Sequence, residues 1–199
     1  MKVLMFDVSS NVMFIGYSKN KELVDYSIRI AQKDHAKYLV DRISQVLQRN
    51  KIKLTDLDEI IVGIGPGSYT GLRVAIMVAK MLGYTKKIPV KTISSLFFMT
   101  SGYEQKTAAL IDARRGYFFT LIHDKEKIIL KDTYIKYEEL KALPDYKDSQ
   151  AILISDRDYK VSAKLVIEQA VLVDDIHGLV PNYLRRTEAE RNYDQKSDS

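Results

Sequence analysis

The chain has 199 residues, 46% of them hydrophobic, and 31 Lys and Arg stand against 26 Asp and Glu, a formal net charge of +5. This length allows one large domain or two small ones, and the apolar fraction is sufficient for a packed core. The absence of cysteine excludes disulfides, thiolate catalysis and cysteine-ligated zinc, and it suits the reducing cytoplasm, where we expect the chain. No apolar run approaches the roughly 20 residues that cross a bilayer, so we expect no membrane partner.

The first thirty residues predict three antiparallel strands. An apolar run over 3–6 is closed by Asp7, and runs over 12–17 and 22–30 follow after short polar turns. Two tight turns that join three such runs are typical of a β-meander.

The hydrophobic period then changes to that of a helix. Apolar residues three and four apart predict an amphipathic helix over about 34–49, with Asp34 as its N-cap. A buried strand is predicted over 59–64, and a second helix from about 70 to 83, where Gly83 would end it at a positive φ.

The second half repeats the opening of the first half. A strand over 108–111 ends in Asp112, and after a turn two more strands are predicted over 117–123 and 127–130. The shorter elements are strands over 90–93, 151–154 and 171–173, helices over 94–101, 137–143 and 162–170, and a helix or turn over 176–179. The acid-terminated strand in each half favours an α/β fold of two units with ribonuclease H-like, actin-like topology, over 1–103 and 104–199, although one mixed sheet also fits.

The most specific stretch is Gly63–Arg73, a strand end, a glycine-rich turn and a helix start. Such a turn offers backbone N–H groups to a phosphate, which predicts a vestigial nucleotide or phosphate site at Gly65, Gly67 and Ser68. The alternative is a tight turn that lets helix and sheet pack closely. The spacing excludes a Walker A motif.

The helix after this turn is apolar on nearly every side. Gly71, Ala75 and Ala79 form one small-residue stripe, and longer apolar residues cover most of the rest. A helix of this kind is buried on more than one side. Its second cover is either the first helix or another subunit.

Several short motifs, in order along 1–186, together resemble one family. They are Leu4–Ser10 (with Val8 where the family has Thr), His35, the run from Gly65 to Arg73, Ile111–Gly116 and Pro181–Arg185. This combination resembles the TsaB (YeaZ) family of tRNA threonylcarbamoyladenosine biosynthesis proteins. The short spacing from Asp112 to Pro181 predicts a reduced second unit.

The resemblance implies an actin-like ATPase (ASKHA) fold and a subunit that is not itself an enzyme. It implies a heterodimer with TsaD through the helices over 34–49 and 70–83, and a ternary complex with TsaE. TsaD forms threonylcarbamoyladenosine at position 37 of tRNAs that read codons starting with A, and tRNA contact is expected only within the complex. A second copy of the chain can satisfy the same face, so we expect a homodimer when the chain is alone.

We predict that the partner-binding residues lie on these two helices. They are Tyr38, Leu39, Arg42, Gly71, Val74, Ala75, Val78, Ala79 and Leu82. Replacement of Ala75 or Ala79 by Glu is expected to break both dimers and to leave the fold largely intact.

The chemistry-bearing residues favour a subunit without catalytic or metal-binding residues. The resemblance places the His-x-x-x-His metal pair of TsaD at 92–99, which contains no His. Asp7 and Asp112 could orient magnesium through water, or they merely close strands and cap turns. Residues 117–177 contain no glycine, which argues against a complete ATP pocket. We expect no cofactor, with weak ATP, ADP or magnesium binding at a subunit boundary left open. The alternatives are an autonomous nucleotide-dependent enzyme or glycoprotease-like hydrolase of this fold, and a direct tRNA binder, which the pI near 9.1 permits.

Overall fold

The computed structural model describes residues 1–30 and 35–184. For residues 35 and 36 it describes only the backbone. The strands are β1 Lys2–Asp7, β2 Val12–Lys19, β3 Glu22–Ile30, β4 Glu59–Gly63, β5 Val90–Ile93, β6 Thr107–Asp112, β7 Tyr117–Asp124, β8 Lys127–Lys136, β9 Gln150–Leu153 and β10 Val171–Leu172. The helices are α1 His35–Arg49, α2 Tyr69–Lys86, α3 Ser95–Thr100, α4 Tyr137–Ala142, α5 Pro144–Lys147 and α6 Ala163–Gln169.

The first sheet has six strands in the order β10-β5-β4-β1-β2-β3. The predicted meander is present, since β1 pairs antiparallel with β2 and β2 with β3. Asn20 and Lys21, the turn between β2 and β3, both have positive φ, as a two-residue hairpin turn requires. β1, β4 and β5 run parallel, so the apolar β4 lies inside the sheet.

The second sheet has four strands in the order β8-β7-β6-β9. In both sheets, the first three strands of the segment therefore form an antiparallel meander. The next strand along the chain then pairs parallel with the first strand. This shared order is the duplicated ribonuclease H-like plan predicted from the two acid-terminated strands. The alternative of one mixed sheet is wrong.

The two faces of the first sheet bury separate cores. One face packs against α1 and α2, through Leu39, Ile43, Ala75 and Ala79 among others. The other face packs against α3, α6 and the second sheet, with Phe97 near the centre of that core. Helices α3 and α6 thus belong to the layer between the sheets, and the two helices predicted to bind a partner lie on the outside.

Several details differ from the sequence prediction. Gly83 lies inside α2, and the helix ends at Lys86, followed by the C-cap Lys87 with a φ of 55°. β8 extends to Lys136 because it pairs along β7 through register shifts. β10 returns to the first sheet, where it pairs antiparallel with β5. The division of the chain after residue 103 stays a prediction, and the proposed cap Asp34 and the residues from 185 lie outside the described part.

No helix in the described part of the chain combines the length and the apolar character needed to cross a membrane.

Candidate functional site

The glycine loop is held by the chain's own groups. The backbone N–H of Ser68 donates to the carbonyl of Ser9 at 2.6 Å, and that of Gly65 donates to the hydroxyl of Ser95 at 2.9 Å. Ser68 caps α2, its hydroxyl accepting from the N–H of Gly71 at 3.3 Å. Because amides that a phosphate would need are engaged within the chain, this geometry favours the structural interpretation of the loop.

Close packing explains two of the glycines. A Cβ at Gly67 would meet the carbonyl oxygen of Ser9, and a Cβ at Gly71 would meet that of Val8. The loop and the start of α2 therefore lie directly on the turn that follows β1.

The two strand-ending acids have different surroundings. Asp7 is fully buried, and its carboxylate accepts from both the N–H and the hydroxyl of Ser9, at 2.8 and 2.6 Å. Burial raises the pKa of Asp7, although these hydrogen bonds oppose the rise. Asp112 is exposed and accepts from the N–H of Arg114 at 2.7 Å. Both carboxylates thus stabilise local turns, and a magnesium or nucleotide site that uses them stays a prediction.

No three His, Asp or Glu side chains converge as a metal-ligand group within residues 1–30 and 35–184.

The C-terminal motif packs back onto the glycine loop. The N–H of Asn182 donates to the carbonyl of Ile64 at 2.8 Å. The ring of Tyr183 stacks on that of Tyr69, with centroids 5.0 Å apart, and the guanidinium of Arg73 donates to the Tyr69 hydroxyl at 2.9 Å. The C-terminal motif and the glycine loop, which are distant in sequence, therefore meet at the start of α2.

The small-residue stripe of α2 faces inward. Ala75 and Ala79 have no exposed surface, and Gly71 and Val78 are also buried. These four predicted partner-binding residues lie in the chain's own interior, and the structure corrects the expectation for Ala75→Glu. A carboxylate at that position would be buried in the first core, so the change would damage the fold itself.

The exposed face of α2 is also apolar, but it is made of long side chains. Met77 is 69% exposed, Met81 46% and Tyr84 63%, and Val40 of the neighbouring α1 is 50% exposed. We call these four residues the outer face. Residues two apart on a helix, such as Ala75 and Met77, point in nearly opposite directions, roughly 200° apart. The sequence therefore contains the pattern of a second apolar face. What the sequence did not tell is which of the two sides faces out.

The remaining predicted partner residues border this surface or support it. Leu39 is fully buried, whereas Val74 and Leu82 are half-buried against the first core. Tyr38 is half-buried, with the guanidinium of Arg29 4.2 Å from its ring centroid. The guanidinium of Arg42 donates to the Ser27 hydroxyl at 3.0 Å and so fixes α1 to β3.

A cavity of about 450 Å³ lies between the two sheets, and no motif in the sequence indicates it. The acidic side chain on its wall is Asp132 of β8, an isolated acid in a strand. The hydroxyl of Ser94 donates to one carboxylate oxygen at 2.6 Å, and the amide of Asn182 donates to the other at 3.3 Å. Burial raises the pKa of Asp132 to about 6, although the two hydrogen bonds lower it.

The fold places the chain in the class of two-sheet α/β proteins with the duplicated ribonuclease H-like plan. A solved structure described as YeaZ from Pseudomonas aeruginosa matches with a TM-score of 0.71 at 19% identity, and the match covers 92% of this chain and 99% of that one. This likeness confirms the fold.

Sequence comparisons define the family. The family model described as TsaD: tRNA N6-adenosine threonylcarbamoyltransferase matches residues 28–161, more than half of the chain. The tRNA threonylcarbamoyladenosine biosynthesis protein TsaB of Bacillus subtilis is 25% identical over 97% of this chain and 98% of its own length. The protein of the same name from Escherichia coli is 27% identical over 58% of this chain and 52% of its own length. The chain belongs to the family that this model describes, and within it to the TsaB (YeaZ) proteins.

Proposed function

We propose that the chain acts in the biosynthesis of threonylcarbamoyladenosine on tRNA as a non-catalytic subunit that binds and supports TsaD. The modification would be formed by TsaD at position 37 of tRNAs that read codons starting with A. The observation that carries this proposal is the outer face, because it gives the chain an apolar surface suited to a protein partner.

The outer face has the character of an interface. Helix α2 already buries its small residues against the first sheet, so the exposure of Met77, Met81 and Tyr84 adds nothing to the chain's own core. Exposed apolar side chains grouped on one helix face are typical of protein–protein contact sites. Methionine side chains are flexible and polarisable, so they adapt to the shape of a partner. Val40, on the neighbouring α1, is a further exposed apolar residue.

The place where the resemblance expects a metal-binding pair is filled by structural residues. Ser94 caps α3, its hydroxyl accepting from the N–H of Phe97 at 3.3 Å. Phe97, Phe98 and Met99 are all buried in the core between the sheets. These side chains serve packing and capping, which supports a role other than catalysis for this segment.

We further propose a homodimer through the outer face when TsaD is absent, and a ternary complex with TsaE when it is present. A two-fold arrangement satisfies one apolar face with a second copy of itself. Contact with tRNA would then occur only within the complex, and no resident cofactor is needed by the chain.

The test is a reconstitution with the TsaD and TsaE proteins of the same source, substrate tRNA and threonylcarbamoyl-adenylate. Modified adenosine is measured with the wild-type chain, without it, with Met77→Glu, and with Leu153→Glu. Leu153 is the matched control, because it lies on β9 and is 49% exposed.

We expect modification that requires the chain, survives Leu153→Glu and is lost with Met77→Glu. Full modification without the chain would contradict the proposal. Nucleotide-dependent turnover by the isolated chain would favour the autonomous enzyme instead.

A further inference from the structure

The cavity between the two sheets is built by both halves of the molecule. One wall comes from the end of β5 and the start of α3, with Ile93 and Phe97, and the opposite wall from β7 and β8, with Leu121 and Ile128. Its volume of about 450 Å³ lies within the range of sites that take small organic ligands.

One end of the cavity is negatively charged. The Asp132 carboxylate is held in place by Ser94 and Asn182, which donate one hydrogen bond each. A carboxylate has about four lone-pair positions, so it can accept further donors. Among the described residues no cation forms an ion pair with Asp132, and burial, rather than a neighbouring charge, is the largest influence on its pKa.

A positive charge lies on the same cavity. Lys131 precedes Asp132 on β8, is exposed, and lines the cavity together with it. These are the two charged side chains among the described residues that line it. The remaining wall is mostly apolar, so the cavity combines one acid, one base and a hydrophobic surface.

We infer that this cavity binds a small zwitterionic amine of the size of an amino acid. The ligand's ammonium group would donate to Asp132, its carboxylate would lie toward Lys131, and its apolar part would contact Ile128 and Val171. An ammonium ion is the complement of a partly buried carboxylate that lacks a cationic partner.

Other ligand classes fit this site less well. A phosphate or nucleotide would bring its negative charge toward Asp132, and Lys131 is the single basic side chain described on the cavity. A purely apolar ligand would leave the carboxylate desolvated without a new donor.

The experiment is a calorimetric titration of the isolated full chain with the standard L-amino acids. For any that bind, the methyl ester and the N-acetyl derivative are titrated as well. The ester keeps the ammonium group and removes the carboxylate, whereas the acetyl derivative does the reverse. The variants are Asp132→Asn, Lys131→Gln and, as a control with the same change of charge, Asp124→Asn, an exposed acid at the end of β7. Circular dichroism verifies that each variant is folded.

We expect at least one amino acid to bind the wild type and Asp124→Asn equally. Asp132→Asn and N-acetylation should each weaken binding at least about tenfold, and Lys131→Gln and esterification by a smaller factor. Affinity should fall about tenfold between pH 7.5 and pH 5, since ionised Asp132 is required and its pKa is about 6.

Either of two results would overturn the inference: no amino acid or ester binds the wild type, or the folded Asp132→Asn variant binds as tightly as the control. If Asp132→Asn does not fold, the same decision rests on the N-acetyl derivative and the pH profile. The titration uses the chain alone, so its outcome is independent of the proposed partnership with TsaD.

Discussion

The two faces of α2 are both apolar, yet they differ in the size of their side chains. The inward face carries the small residues Gly71, Ala75 and Ala79 beside the larger Val78, and packs on the first sheet, with Gly71 directly on the turn after β1. The outward face carries Met77 and Met81, which extend into solvent. Small residues permit close approach of backbone to backbone, whereas long flexible ones present adaptable surface. The small residues thus lie on the face that the chain needs for folding, and the long flexible ones lie on the face that we propose for a partner.

The substitution with the largest expected effect on the free energy of unfolding places a charge on the buried inward face. We expect Ala75→Glu to reduce the free energy of unfolding by about 3 kcal/mol or more, because the carboxylate would lie in a fully buried position. Urea denaturation followed by circular dichroism measures this. A folded Ala75→Glu variant with wild-type stability would show that the inward face is misassigned.

The next effect concerns the contact between α2 and the turn after β1. Glycine to alanine within a helix ordinarily stabilises by about 1 kcal/mol. At Gly71 we expect the opposite sign, a loss of about 1–3 kcal/mol, since the new Cβ would meet the carbonyl oxygen of Val8. The same denaturation experiment decides the sign, and a stabilised Gly71→Ala variant would mean that the helix does not lie this close.

Burial also changes the pKa of an acid inside the molecule relative to that of an acid on its surface. The pKa of Asp132 is raised to about 6 in the folded chain, so the folded state binds its proton more tightly than the unfolded state does. Its contribution to stability therefore increases as the pH falls through 6. Relative to Asp132→Asn, the wild type should gain about 1.4 kcal/mol of unfolding free energy between pH 7.5 and pH 5. A pH-independent difference between the two proteins would indicate an ordinary pKa.

The smallest effect on stability is expected on the outward face. Met77→Glu should change the free energy of unfolding by no more than about 0.5 kcal/mol, because the side chain is 69% exposed and the charge stays in water. Light scattering on the same variant should show the loss of any homodimer. If Met77→Glu leaves both the stability and the self-association of the chain unchanged, the outward face does not form the homodimer.

The elements of the first sheet were predictable because their signals are local. Apolar runs bounded by turn residues predict β1, β2 and β3 nearly to the residue, and the three- and four-residue spacings predict α1. The glycine loop was also recognised, but its two interpretations differed only in tertiary contacts. The hydrogen bond from Ser68 to Ser9, across more than fifty residues of sequence, favours the structural one.

Features that depend on distant contacts could not be predicted. The sequence predicts that Gly83 ends α2, yet this residue lies within the helix, where a Cβ would meet the side chain of Val90. The spacing of apolar residues shows which of them share a face, but both faces of α2 were apolar, so hydrophobicity alone could not orient the helix. Asp132 stands alone in its strand, and its partners Ser94 and Asn182 lie 38 and 50 residues away.

The most direct test of the central claim is the affinity of the chain for purified TsaD from the same source. It is measured by calorimetry for the wild type, Met77→Glu and the control Leu153→Glu. The outer face predicts that Met77→Glu weakens binding at least about tenfold while Leu153→Glu binds as the wild type does. Equal affinity of all three proteins, or equal weakening by both substitutions, would contradict the assignment of this face to the partner.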